Sequence, residues 1–152
     1  MQTLISTFND LRKLAKRDAS AMPAIKVALV GDTATQLLVT AIRGMGVERG
    51  YNINLFEAEY NQVERQFMDP TSELYEFDAD FIVVFQSTHK LGEHHSALTT
   101  EQQEQLAEER LQFVTGICTN PALEGKKIIY FNYPEIEDTV FGSYANKVES
   151  SF

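Results

Sequence analysis

Apolar residues recur every three or four positions at the start of the chain. Leu4, Ile5, Phe8, Leu11, Leu14 and Ala15 share one side of a helical projection, with Asn9, Asp10, Lys13 and Lys16 on the other, the pattern of an amphipathic helix. The stretch Asp18 to Pro23 breaks it. Lys26 to Val30 is a short β-branched run that suits a buried parallel strand. From Ala34 a period near 3.6 returns in Leu37, Leu38, Ala41, Ile42 and Met45, and Gly44, Gly46 and Gly50 are read as the places where that helix weakens and stops.

The alternation then repeats. Tyr51 to Ala58 reads as a strand, Asn61 to Met68 as a helix, Asp69-Pro70-Thr71-Ser72 as a turn and Asp80 to Phe85 as the strongest strand of the sequence. Gln86 to Thr99, polar and histidine-containing, reads as a solvated loop over the strand ends. Thr100 is expected to cap a long helix with Leu106, Leu111, Phe113, Val114 and Ile117 inward, followed by a fourth strand at Lys127 to Phe131 and a helix begun near Ser143. Strands of buried type alternating with helices predict an α/β fold with a mostly parallel sheet. The organisation expected is an N-terminal helix and linker at 1–22 and an α/β domain at 23–152.

Composition narrows the partners. At 152 residues and 43% hydrophobic the chain can bury one core, and its formal charge of −9 repels nucleic-acid phosphates. No apolar run approaches the roughly 18 residues of a membrane span. With no signal-peptide pattern and a single cysteine, Cys118, in an apolar stretch, a cytoplasmic setting and a buried, inert thiol are expected.

In parallel α/β sheets ligands collect beyond the carboxyl ends of the strands. The sequence places Gly31, Asp32 and Thr33 after the first strand, Asn61 after the second, Gln86 after the third and Asn132 after the fourth. Asp32 and Thr33 are the candidate catalytic pair: a hydroxyl raised at a strand-to-helix turn can attack an acyl group if a base lies within reach. Gly31, Asn61, Gln86 and Asn132 are candidate substrate-binding residues. The competing reading of the turn is structural, with Asp32, Thr33 or Thr35 capping the next helix. His89, Glu93, His94 and His95 lack the spacing of a complete zinc site, so neither metal nor cofactor is expected. Asp78 and Asp80 precede their strand and are read as a turn at the end opposite the ligand crevice.

The stretches KVALVGDTATQLL, FEAEYNQVERQFMDPTSELYEFDADFIVV and VFGSYANKVESSF resemble the amino-terminal region of FkbH-like proteins, a group of the haloacid-dehalogenase superfamily that includes glyceryl transferases acting with acyl carrier proteins. The resemblance implies a three-layer, flavodoxin-like fold similar to the SGNH hydrolases, ahead of a separate phosphatase-type domain. It matches Gly31-Asp32-Thr33 to the first SGNH block, with threonine in place of the serine nucleophile. The later Asp-x-x-His block of those hydrolases and the Asp-Leu-Asp-Asn-Thr segment of the phosphatase domain do not occur in the 152 residues. The expectation is therefore the N-terminal portion of a longer protein, with a fifth strand supplied after Phe152 and an open fourth strand able to pair in a homodimer. Its expected role is to position a substrate or acyl carrier protein for the downstream domain. The alternative is an ester hydrolase with Thr33 as nucleophile.

Overall fold

Four parallel strands in the order β2-β1-β3-β4 form the sheet of the computed structural model, which describes residues 6–134 and Lys147. The first residues of the N-terminal helix, the helix expected near Ser143 and the closing VFGSYANKVESSF stretch, apart from Lys147, lie outside the described residues. The described part runs α1 (Phe8–Leu14), β1 (Ala24–Gly31), α2 (Gln36–Glu48), β2 (Asn52–Glu57), α3 (Val63–Met68), α4 (Glu73–Phe77), β3 (Phe81–Phe85), α5 (Thr88–Ala97), α6 (Thr100–Cys118) and β4 (Lys127–Tyr130). Two compact units divide it, the first within Met1–Phe85 and Lys126–Tyr130 and the second within Gln86–Gly125 and Phe131–Phe152.

In the first unit, alternation along the strands sorts the core by face. Val27 and Leu29 of β1, Leu55 of β2 and Val83 of β3 meet Val39 of α2 in one buried cluster, which Leu38, Ile42, Ile53, Phe81 and Phe85 surround. Ala28 and Val30 are fully buried with their register partners Ile82 and Val84 on the opposite face. β1 is therefore buried on both faces, as its unbroken apolar run predicts.

Glycines set how the helices close on this core. α2 runs through Gly44 and Gly46 to Glu48, and only Gly50, with φ +82°, ends the turn. The reading of the first two as stop signals is corrected by their contacts. A methyl at Gly44 would lie 2.2 Å from the Leu11 carbonyl oxygen, and one at Gly46 would lie 2.2 Å from Ile53 Cγ1. Gly44 is thus where the backbone of α1 meets α2. Thr7 and Asp10 cap α1 reciprocally, and the Ser6 hydroxyl donates to Glu48, the last residue of α2.

The crossover from β2 to β3 carries a helix not expected from the sequence, α4, and a polar clasp. Gln66, only 1% exposed, accepts a hydrogen bond from the Leu74 N–H at 3.0 Å and donates to Glu73 at 2.8 Å. The Ser72 hydroxyl donates to the Gln66 carbonyl at 2.7 Å, and the Tyr75 hydroxyl to the Phe67 carbonyl at 2.8 Å. The Asp-Pro-x-Ser-x-Leu-Tyr stretch therefore folds α3 and α4 onto each other.

At the amino end of the sheet Asp80 joins three strands. Its carboxylate accepts the Lys26 N–H at 2.8 Å, its own N–H donates to the Lys26 carbonyl at 2.9 Å, and its carbonyl accepts the Lys127 N–H at 3.1 Å. Asp78, left-handed at φ 54°, closes α4 and pairs with Lys126. The hydrogen bond from the Lys126 ammonium, together with its charge, holds the Asp78 carboxyl below the usual carboxylate range. A lowered folded value means that this contribution is complete above the unfolded carboxylate pKa, near about 3.9, and is lost as pH falls through the folded value. Asp78→Asn, which keeps a residue at ease in the left-handed region, is expected to flatten the loss of stability between neutral pH and about pH 3. Urea melts at the two pH values in low salt check this, and an unchanged slope would remove the pair from the account.

In the second unit the segment read as a loop is the helix α5, which buries Thr88 and His95 and leaves His89 and His94 exposed. Thr99, one residue before the expected cap, starts α6: its hydroxyl accepts the Gln102 N–H at 3.4 Å and the Gln102 side chain accepts the Thr99 N–H at 3.0 Å. α6 buries Leu106 and Ile117, but Leu111 is 59% exposed and Cys118 is exposed rather than buried. No described helix is long and apolar enough to cross a membrane.

Candidate functional site

The order β2-β1-β3-β4 reverses direction at β1, because the chain steps from β1 outward to β2 and then crosses to β3 on the other side. The carboxyl ends of β1 and β3 border that switch point, where open α/β sheets form their crevice. Gly31 pairs with Phe85 there, and the Asp32 N–H extends the ladder one step by donating to the Phe85 carbonyl at 3.3 Å.

Close packing fixes the identity of Gly31. A methyl on it would lie 3.0 Å from the Phe85 carbonyl oxygen and 3.1 Å from Thr35 Cγ2, tighter than side chains ordinarily pack. Asp32 and Thr33 follow, both half-buried, and Thr35 occupies the cap position of α2. The capping expected of the Thr35 hydroxyl does not occur. It donates instead to Glu57 Oε1 at 2.5 Å, from a residue only 5% exposed. One residue further on, the Ala58 N–H donates to the Leu29 carbonyl at 2.9 Å. The turn 31–35 is thus tied on one side to the end of β3 and on the other to the end of β2.

Asn61 lies beyond the end of β2, exposed and left-handed at φ 59°. That conformation is one asparagine adopts more easily than most residues, which accounts for its presence independently of any ligand. In the second unit Gln86, 8% exposed, accepts from the Tyr133 hydroxyl at 3.2 Å, and the Thr88 hydroxyl donates to the Pro134 carbonyl at 2.9 Å. The residues after β3 and after β4 are therefore joined within that unit. Asn132 is exposed beside them.

The structure thus gathers Gly31, Asp32 and Thr33 into one turn and adds Glu57 and Thr35, which sequence reasoning had not joined. Their contact spans 22 positions and follows no local period, so only the pairing of β1 with β2 reveals it. All three histidines belong to the second unit, and His95 is buried with its carbonyl accepting from Gln103 at 2.9 Å. Among the described residues no three His, Cys, Asp or Glu side chains gather as a metal centre.

No curated protein matches the chain. A solved structure does: the N-terminal part of the protein BF1531 from Bacteroides fragilis, described as containing a phosphatase domain and complexed with Mg. It is 55% identical with a TM-score of 0.90, and the match covers 97% of this chain and 38% of that one. The chain therefore spans well under half the length of this relative. Residues 26–152, from β1 onward, match the FkbH N-terminal domain, and the chain belongs to that family.

Proposed function

We propose that this domain presents a substrate or an acyl carrier protein to a phosphatase-type domain of a longer protein and does not itself break bonds. Asp32 and Thr33 supply the contact at the carboxyl edge of the sheet, Gly31 lets the turn pass close beneath them and Asn61 flanks it. The downstream partner is suggested by the phosphatase domain in the description of the Bacteroides relative. An SGNH-like ancestry of the turn would account for its shape.

The observation that carries the reading is a turn held from both sides. Phe85 and Glu57 fasten residues 31–35 to the ends of the two neighbouring strands. A held turn carrying a half-buried carboxylate and hydroxyl is suited to binding, whereas a threonine nucleophile also needs a general base to take its proton.

The test uses a protein that carries both domains. Asp32→Asn and Thr33→Val are expected to raise KM for the presented substrate by about fivefold or more with kcat within about twofold, the signature of lost binding. A parallel assay of the present chain with p-nitrophenyl acetate separates the hydrolase reading. Turnover by the wild type that disappears in Thr33→Ala would overturn the presenting role and make Thr33 a nucleophile.

A further inference from the structure

A second feature of the first unit lies at the opposite, amino-terminal edge of the sheet. A cleft of about 350 Å³ opens between the segment joining α1 to β1, the outer turns of α2 and the start of β2. Its polar wall is Arg17, Asp18, Ser20, Arg43 and Asn52, with Ile53 on its apolar side. The volume lies within the range of small-molecule sites.

The wall is held in place. The Asn52 N–H donates to the Pro23 carbonyl at 2.9 Å, which fastens the end of the linker to β2, and the Met22 N–H closes a turn onto the Ala19 carbonyl at 2.9 Å. Arg43 is anchored by one N–H to the Leu55 carbonyl at 3.3 Å, leaving the remaining edge of its guanidinium fork for another acceptor. The one carboxylate of the wall is engaged locally: Asp18 accepts the Ser20 N–H at 2.9 Å, and that bond holds its carboxyl below the usual range. Among the described residues neither Arg17 nor Arg43 forms an ion pair. Two arginines outside any ion pair and one aspartate line this polar cleft, which gives it a net positive wall in a chain of formal charge −9.

We infer that this cleft binds the phosphate group of a small phosphoester, with Arg17 and Arg43 gripping the oxyanion and the organic part lying toward Ile53. Guanidinium groups bind phosphate through paired charge-assisted hydrogen bonds, and the cleft has room for more than the phosphate alone. This site is separate from the 31–35 turn, at the other end of the strands, and does not depend on the presenting role.

Calorimetric titration of the intact chain at constant ionic strength tests it with inorganic phosphate, phenyl phosphate and malonate as probes. Saturable binding of both phosphate probes is expected, tighter for phenyl phosphate, and weakened about tenfold or more by Arg17→Gln, a loss typical of one charge-assisted contact. Arg43→Gln is expected to weaken it similarly, with a melting curve run alongside because this change also removes the bond to Leu55. Absence of saturable binding, or phosphate binding unchanged in Arg17→Gln, would overturn the proposal. Malonate binding as tightly as phosphate would reassign the cleft to carboxylates and overturn its phosphoester specificity.

Discussion

Replacing Gly44 by alanine is expected to lower the melting temperature by about 4–8 °C, even though alanine is the better helix former by about 1 kcal/mol. The added methyl would lie 2.2 Å from the Leu11 carbonyl oxygen, 2.7 Å from its carbon and 2.8 Å from its Cα. Backbone cannot step aside as the end of a flexible side chain can, so α1 must move off α2. Leu11, buried in the native packing, is then partly returned to water. Overpacking of this kind costs on the order of 1–3 kcal/mol, and losing the burial of a leucine adds to it. Gly116 supplies the control. It lies in α6, and a methyl there meets nothing within 4 Å, so Gly116→Ala is expected to raise stability by roughly 0.5–1 kcal/mol through propensity alone. Thermal melts of the two variants, with amide exchange of α1 in the first, decide the matter. A Gly44→Ala protein as stable as the Gly116→Ala protein would show that α1 does not rest on α2 at that residue.

Removing the Gln66 amide should be comparably damaging. Gln66→Met keeps the side chain's length and apolar stem, yet leaves the N–H of Leu74, a residue 2% exposed, without its acceptor. A buried donor deprived of its partner costs on the order of 1–3 kcal/mol. Glu73, which receives the other Gln66 bond, also loses a neighbour that, after the bond from its own backbone N–H, keeps its carboxyl below the usual range. The expected loss is about 2–3 kcal/mol in urea unfolding. Gln66→Glu restores the acceptor for Leu74 but turns a second oxygen toward the Glu73 carboxylate, so its deficit should be largest at neutral pH and shrink as carboxyls take up protons. A Gln66→Met midpoint equal to that of the wild type would mean that the α3–α4 clasp contributes nothing to stability.

These two residues mark what the sequence made legible. The period-2 and period-3.6 runs are local, and they correctly indicated the strands at Lys26–Val30 and Asp80–Phe85, the helix read from Ala34 and observed from Gln36, and the parallel α/β class that follows from their alternation. α5 was hidden because Thr88–Ala97 has few apolar residues to show a period. α4 has five residues, too few to show one. Gly44 and Gly46 looked like punctuation because a glycine required by a neighbouring backbone and a glycine required by a turn are the same letter, and only the packed partner tells them apart. Cys118 was placed by the character of its neighbours and Leu111 by the apolar pattern of the long helix, whereas the rotation of α6 leaves both exposed. At the candidate site the strand-to-helix turn was readable from Gly31-Asp32-Thr33. The engagement of Thr35 by Glu57 was not, since it depends on which strand lies beside β1.

The parallel pairing also governs how the chain can assemble. No two strands of the sheet are joined by a hairpin, and the bond between the starts of β1 and β3, from the Lys26 N–H to Asp80, closes a loop across 54 positions. The entropy of that closure must be met before the interior contacts of β1 can offset it, which makes the topology intrinsically slow to fold. Until the crossover has swung over, β1 has one edge unpaired, and its three fully enclosed residues Ala28 to Val30 are open to a neighbouring nascent chain. The compact α3–α4 unit shortens the distance the closing segment has to search, so a residue of the crossover such as Gln66 can influence the speed at which the central strand finds its partner.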